Sequence, residues 1–184
     1  QDKVLMQLSE FVFDNSPDSL YLLKGYAGTG KTSIIGTLVS NLWETKKKAV
    51  LLAPTGRAAK VISNYSKKEA FTIHKKIYFP RKEKSGGVKF VLQPNKHRDT
   101  IFIVDEASMI PDLPSDSKLF ENGSLLDDLI QYVYSGFRCK LLLIGDVAQL
   151  PPVKSDLSPA LDSQTLELNF NKNVKTVELD EVVR

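Results

Sequence analysis

At 184 residues, 42% hydrophobic and 26% charged, the chain fits one globular α/β domain with a substantial buried core. Its net charge of +3 is too mild to prove a nucleic-acid partner, and its clustered lysines and arginines (46–48, 67–68, 75–76, 81–84, 96–98) each read first as solvated surface. A lone cysteine, Cys139, excludes an intrachain disulfide, and with no signal peptide or membrane-length apolar run an intracellular, cytoplasmic protein is expected.

Val4, Leu5, Leu8, Phe11 and Val12 fall at helical spacing, and Asn15, Ser16, Pro17 and Asp18 break the helix. A strand over 20–24 then runs into GYAGTGKT (25–32), followed by a helix-like segment over 33–43. Strand, glycine-rich turn and helix N-terminus form the context of a phosphate-binding P-loop. Gly25, Gly28 and Gly30 let backbone N–H groups curl inward, and the positive end of the following helix faces the phosphates. Lys31 supplies a cation for the β- and γ-phosphates, and Thr32 a hydroxyl for Mg²⁺.

A second buried strand over 49–53 ends in Pro54, Thr55, Gly56 and Arg57, and a helical pattern resumes over 58–65. Residues 72–77 suit a short helix. Residues 80–99 are polar and basic, with 88–92 as an extra strand or hairpin arm. The run TIFIV (100–104) is a third buried strand and ends in Asp105 and Glu106. After a loop-like stretch, Leu125, Leu126, Leu129, Ile130 and Val133 mark a helix closed near Gly136. KLLLI (140–144) is a fourth strand, ending in Gly145 and Asp146. The tail beyond Pro151 and Pro152 reads as irregular until a last strand over 174–179.

Alternating strands and helices predict an α/β fold, a parallel sheet with helices on both faces. Ligand chemistry in such sheets collects at the carboxyl ends of the strands, where the P-loop, 55–57, Asp105–Glu106 and 146–149 all fall. Asp105 stands where an acid holds Mg²⁺ through water, and Glu106 can polarise the attacking water as general base. Taken alone, an acidic pair after a strand also suits a helix N-cap. The amide of Gln149 is suited to donate to a γ-phosphate oxygen.

GYAGTGKT, APTGRAAKV (53–61), TIH (72–74), VDEASM (104–109) and GDVAQLPPV (145–153) occur in the order of superfamily-one helicases, and the chain most resembles their RecD-like branch. The resemblance implies a RecA-like P-loop NTPase domain over 1–184, cut from a longer helicase. It also implies ATP and Mg²⁺ as cofactors and single-stranded DNA as partner, with other recombination or repair subunits possible in the family. The nucleotide set would be Gln1, which reads adenine, with Gly25, Gly28, Thr29, Gly30, Lys31, Thr32 and Ser33. Metal would be held by Thr32 and Asp105. Catalysis would fall to Lys31, Asp105, Glu106, Gln149 and Arg184, the last reaching the γ-phosphate from LDEVVR (179–184).

Thr55, Gly56, Arg57, Thr72 and His74 would touch the strand backbone. From the residues alone, the same positions also fit an ordinary turn, a solvated arginine and a structural histidine. The expected function is the ATP-binding motor lobe of a DNA helicase moving 5′ to 3′. A nucleic-acid switch without unwinding activity and a nucleotide-stabilised binding module are the alternatives. A lone lobe is expected to hydrolyse ATP slowly and to displace no strand.

Overall fold

The computed structural model describes residues 2–111, 119–120, 124–148 and 158–180. Four apolar segments become the middle of a six-stranded sheet. They are β1 (Ser19–Gly25), β2 (Lys48–Ala53), β6 (Thr100–Val104) and β7 (Lys140–Asp146). Two edge strands, β3 (Ala70–Thr72) and β8 (Asn173–Leu179), complete the order β3-β2-β6-β7-β1-β8. Every pairing in this sheet is parallel.

Side-chain alternation divides the core in two. Leu20, Leu22, Val50, Leu52, Phe102, Val104, Leu141 and Leu143 face α4 (Ile73–Ile77), α5 (Leu125–Ser135) and α6 (Ser163–Phe170). Tyr21, Leu23, Leu51, Ile101, Ile103, Leu142 and Ile144 face α1 (Asp2–Phe13), α2 (Lys31–Leu42) and α3 (Gly56–Ser66). Both residue sets of one strand are therefore apolar, the signature of a sheet buried on both faces. At the foot of β7 the buried Lys140 donates its ammonium protons to the carbonyls of Phe11, Val12 and Asp14, stapling the end of α1 to the sheet. Burial pulls that amine down to about 8.

The basic stretch forms an antiparallel hairpin, β4 (Tyr78–Lys82) with β5 (Val88–Leu92), in register from Tyr78↔Leu92 to Lys82↔Val88. Gly86, at φ 92, takes the left-handed position of its turn. The expected arm at 88–92 is thus present, paired with a partner strand that the sequence had hidden. At its base the Tyr78 hydroxyl donates to the buried Asp128 of α5 at 2.5 Å.

Two elements depart from the reading of the chain. The tail expected to be irregular holds α6, which is capped by Asp162 accepting from the N–H of Gln164 at 3.1 Å. It buries only Leu166, so it leaves no apolar stripe to read. The edge strand β3 is three residues long, too short for a periodicity. Among the described residues no helix is long and apolar enough to cross a membrane.

Candidate nucleotide-binding site

The register of the sheet sets the site. Gly25, the last residue of β1, lies opposite Asp146 of β7 on one side and Leu179 of β8 on the other. A Cβ at Gly25 would meet Thr29 Oγ1 at 2.6 Å and Leu179 Cβ at 3.2 Å, so the strand end must be glycine. Gly25→Ala is expected to displace the loop. Titration of a fluorescent ATP analogue should show affinity reduced at least about tenfold, and melting should show a cost of about 1–3 kcal/mol. Wild-type affinity in that variant would refute the close packing as a requirement.

Beyond Gly25 the chain turns through Gly28 (φ 81) and Gly30 (φ 89), both left-handed. Thr29 is buried between them, its hydroxyl donating to the Tyr26 carbonyl at 2.7 Å. That hydroxyl locks the loop, so of Thr29 only the backbone is left to face a ligand. The Lys31 ammonium folds back to donate to the carbonyls of Gly25 (3.0 Å) and Tyr26 (2.7 Å). No side chain caps α2, and its first-turn residues Lys31, Thr32 and Ser33 line an open cleft of about 460 Å³. The uncapped N–H groups and the positive end of the helix dipole make that rim attractive to phosphate.

The opposite wall comes from the ends of β6 and β7: Asp105, Glu106, Gly145 and Asp146. β6 delivers Asp105 by a main-chain bond from its N–H to the Leu52 carbonyl at 3.0 Å. The Asp105 carboxylate accepts from the Glu106 N–H at 2.9 Å. Burial pushes its pKa up to about 6, against the lowering effect of that N–H bond; the Glu106 charge adds to the rise and Lys31 opposes it. Hydrogen bond and cation thus oppose the loss of water at this carboxylate. Glu106 itself sits at φ 55, a left-handed conformation that costs a non-glycine residue free energy. Tyr65, exposed at the end of α3, completes the rim. The sequence reading missed it, and its one signal was an aromatic residue on the polar side of that helix.

The residues expected to touch a nucleic-acid strand lie on two neighbouring strand ends, since Ala53 of β2 pairs with Thr72 of β3. Thr55 and Thr72 both act as helix N-caps, accepting from Ala58 N–H and Lys75 N–H at 3.2 Å each. Arg57 is exposed. His74 packs its ring against Tyr78 and Phe120 at centroid distances of 5.8 and 5.4 Å, and burial of that packed face lowers its pKa. Gln1, Gln149 and Arg184 lie outside the described residues.

The chain is similar to the ATP-dependent DNA helicase dda of Enterobacteria phage T4, 32% identical over 165 residues, which are 88% of this chain and 34% of that protein. It is 32% identical to the ATP-dependent RecD2 DNA helicase of Deinococcus radiodurans over 139 residues, 75% of this chain and 17% of that protein. The chain thus spans about a third of the first of these relatives and about a sixth of the second. The solved Pif1 helicase from Bacteroides in complex with ADP-AlF3 and ssDNA matches 98% of this chain and 42% of its own with a TM-score of 0.56. At 18% identity that likeness shows the fold, a RecA-like lobe. The model of the AAA domain family matches residues 9–155, from α1 through the P-loop and both acid-bearing strand ends. By that match and the ordered motifs, the chain belongs to the AAA domain family, in the RecD-like branch of the superfamily-one helicases.

Proposed function

We propose that this chain is one RecA-like lobe, residues 1–184, of a longer DNA helicase that hydrolyses ATP–Mg²⁺ to move along single-stranded DNA from 5′ to 3′. One observation carries the reading: the P-loop residues Lys31 and Thr32 and the acids Asp105 and Glu106, far apart in sequence, line the same cleft. The chemistry of this donor set fits a nucleoside triphosphate, with N–H groups and a cation on one wall and carboxylates on the other. The Thr32 hydroxyl and the Asp105 carboxylate would hold Mg²⁺, which when bound would neutralise phosphate charge. Backbone N–H groups of Gly28 to Ser33 bind the phosphates, and Lys31 offsets their charge. Glu106 orients the attacking water and accepts its proton. By motif position, Gln149 and Arg184 attend the γ-phosphate and Gln1 the adenine.

The strand track is assigned to Thr55, Gly56, Arg57, Thr72 and His74. The threonines keep their hydroxyl protons while capping, so each has a donor left for a phosphate oxygen. Replacing Arg57 and His74 together by Ala is expected to lower single-strand affinity about tenfold. ATP affinity without DNA should be unchanged, and the salt dependence of DNA binding shallower. The decisive experiment is ATP turnover by the full-length protein with no nucleic acid, with single-stranded DNA and with single-stranded RNA. Strong stimulation by DNA is expected. Turnover indifferent to either polymer would leave an ATPase whose partner is something else.

A further inference from the structure

On the α4–α5 face of the sheet lies a second cavity of about 540 Å³, which shares no residue with the nucleotide cleft. It is bounded by Phe71 of β3, Lys75 and Lys76 of α4, Phe79 at the foot of the hairpin, and Lys96 and His97 in the connection to β6. We infer that this cavity is a second nucleic-acid site, taking one nucleotide step of a single strand away from the Arg57–His74 track, with the phosphate on Lys75, Lys76 and Lys96 and the base on Phe79.

The charge is the first argument. Among the described residues no carboxylate forms an ion pair with Lys75, Lys76 or Lys96. Lys75 and Lys76 instead rest over the Phe71 ring, at 6.0 and 5.3 Å from its centroid, which holds two ammonium groups side by side. His97 shares the wall. Burial holds its imidazole below the ordinary value, and the charges of Lys76 and Lys48 lower it further. Positive charge gathered in a concave, partly dry place is relieved by an anion.

Rigidity is the second argument. The Gln93 amide donates to the carbonyls of Lys76 (2.9 Å) and Tyr78 (3.0 Å), fixing the hairpin exit against α4. Asn95 donates to the carbonyls of Tyr132 and Val133, and its own side-chain oxygen accepts from the His97 N–H at 2.9 Å. The wall that carries Lys96 and His97 is thus stapled to α5 before any ligand arrives. A preformed site loses little entropy on binding. At its lip Phe79 is 39% exposed, an aromatic side chain open to solvent. Cations for a backbone and one open ring for a base are the two parts of a sequence-tolerant single-strand site. The open ring favours a nucleotide over an acidic peptide, which would use the cations alone.

The assignment builds on the proposed DNA-bound function, and the test separates the two. Binding of fluorescein-labelled oligo-dT to the full chain would be measured across a salt series. Four proteins are compared: wild type, Lys75→Gln with Lys96→Gln, Phe79→Ala, and Arg57→Ala with His74→Ala. ATP-analogue affinity and circular dichroism serve as controls for folding. Removing the two lysines is expected to make the log–log salt slope shallower by about 0.7 per lysine. Phe79→Ala should weaken binding about tenfold without changing that slope. Unchanged affinity and slope in both pocket variants, with binding lost in the Arg57/His74 variant, would overturn the second site and leave the track standing. Equal competition by polyglutamate would also overturn it, by showing that the pocket reads charge without a base. No oligo-dT binding by wild type would remove both readings together.

Discussion

Glu106→Gln is expected to bind ATP as the parent does and to hydrolyse it at least about a hundredfold more slowly. The amide keeps the shape of the side chain and the left-handed turn at φ 55, but it cannot accept the proton of the attacking water. Lys31→Ala should behave differently. It removes the ammonium held over the Gly25 and Tyr26 carbonyls, so both binding and turnover are lost. The measurement is single-turnover hydrolysis beside equilibrium binding of a labelled analogue in the full-length protein. Normal turnover in Glu106→Gln would move the role of base to another residue, with Asp146 on the same wall of the cleft the next to replace.

The other large effect is structural and reaches the site through a strand. Phe102 is fully buried on β6, with its ring edge-on to Tyr132 at 5.7 Å and to His97 at 5.3 Å. Phe102→Ala should cost about 3–5 kcal/mol, since the loss of transfer energy is joined by a cavity in a core that α5 cannot close. Against a typical total of about 5–15 kcal/mol, that is a large share of stability. Thermal melting should fall by roughly ten degrees. Asp105 directly follows the same strand, three residues beyond Phe102, so nucleotide affinity measured at low temperature, where the variant is folded, should fall as well. A melting point within two or three degrees of wild type would show that the core closes over the gap.

Much of the machine was legible in the chain, for identifiable reasons. Strands buried on both faces are apolar at nearly every position, so 20–24, 49–53, 100–104 and 140–144 stood out as mainly apolar runs and proved to be β1, β2, β6 and β7. The P-loop was legible because its glycines answer a local need: Gly28 and Gly30 take left-handed backbone that other residues avoid. Two short elements were not legible. β3 is held by pairing with β2 and α6 by one buried leucine, and neither leaves a period in the sequence.

By itself, then, the sequence determined that a phosphate loop and two strand-end acids belong to one parallel sheet, because glycine placement and unbroken apolar runs are local demands of that backbone. Only the tertiary structure decided what surrounds each of these groups. The register of β1 against β7 sets Gly25 beside Asp146, and burial rather than residue type raises Asp105 to about 6. The fold also turns the hydroxyl of Thr29 inward and gathers Lys75, Lys76 and Lys96 around one cavity. These are matters of distance between segments remote in the chain, and a sequence pattern carries no distances.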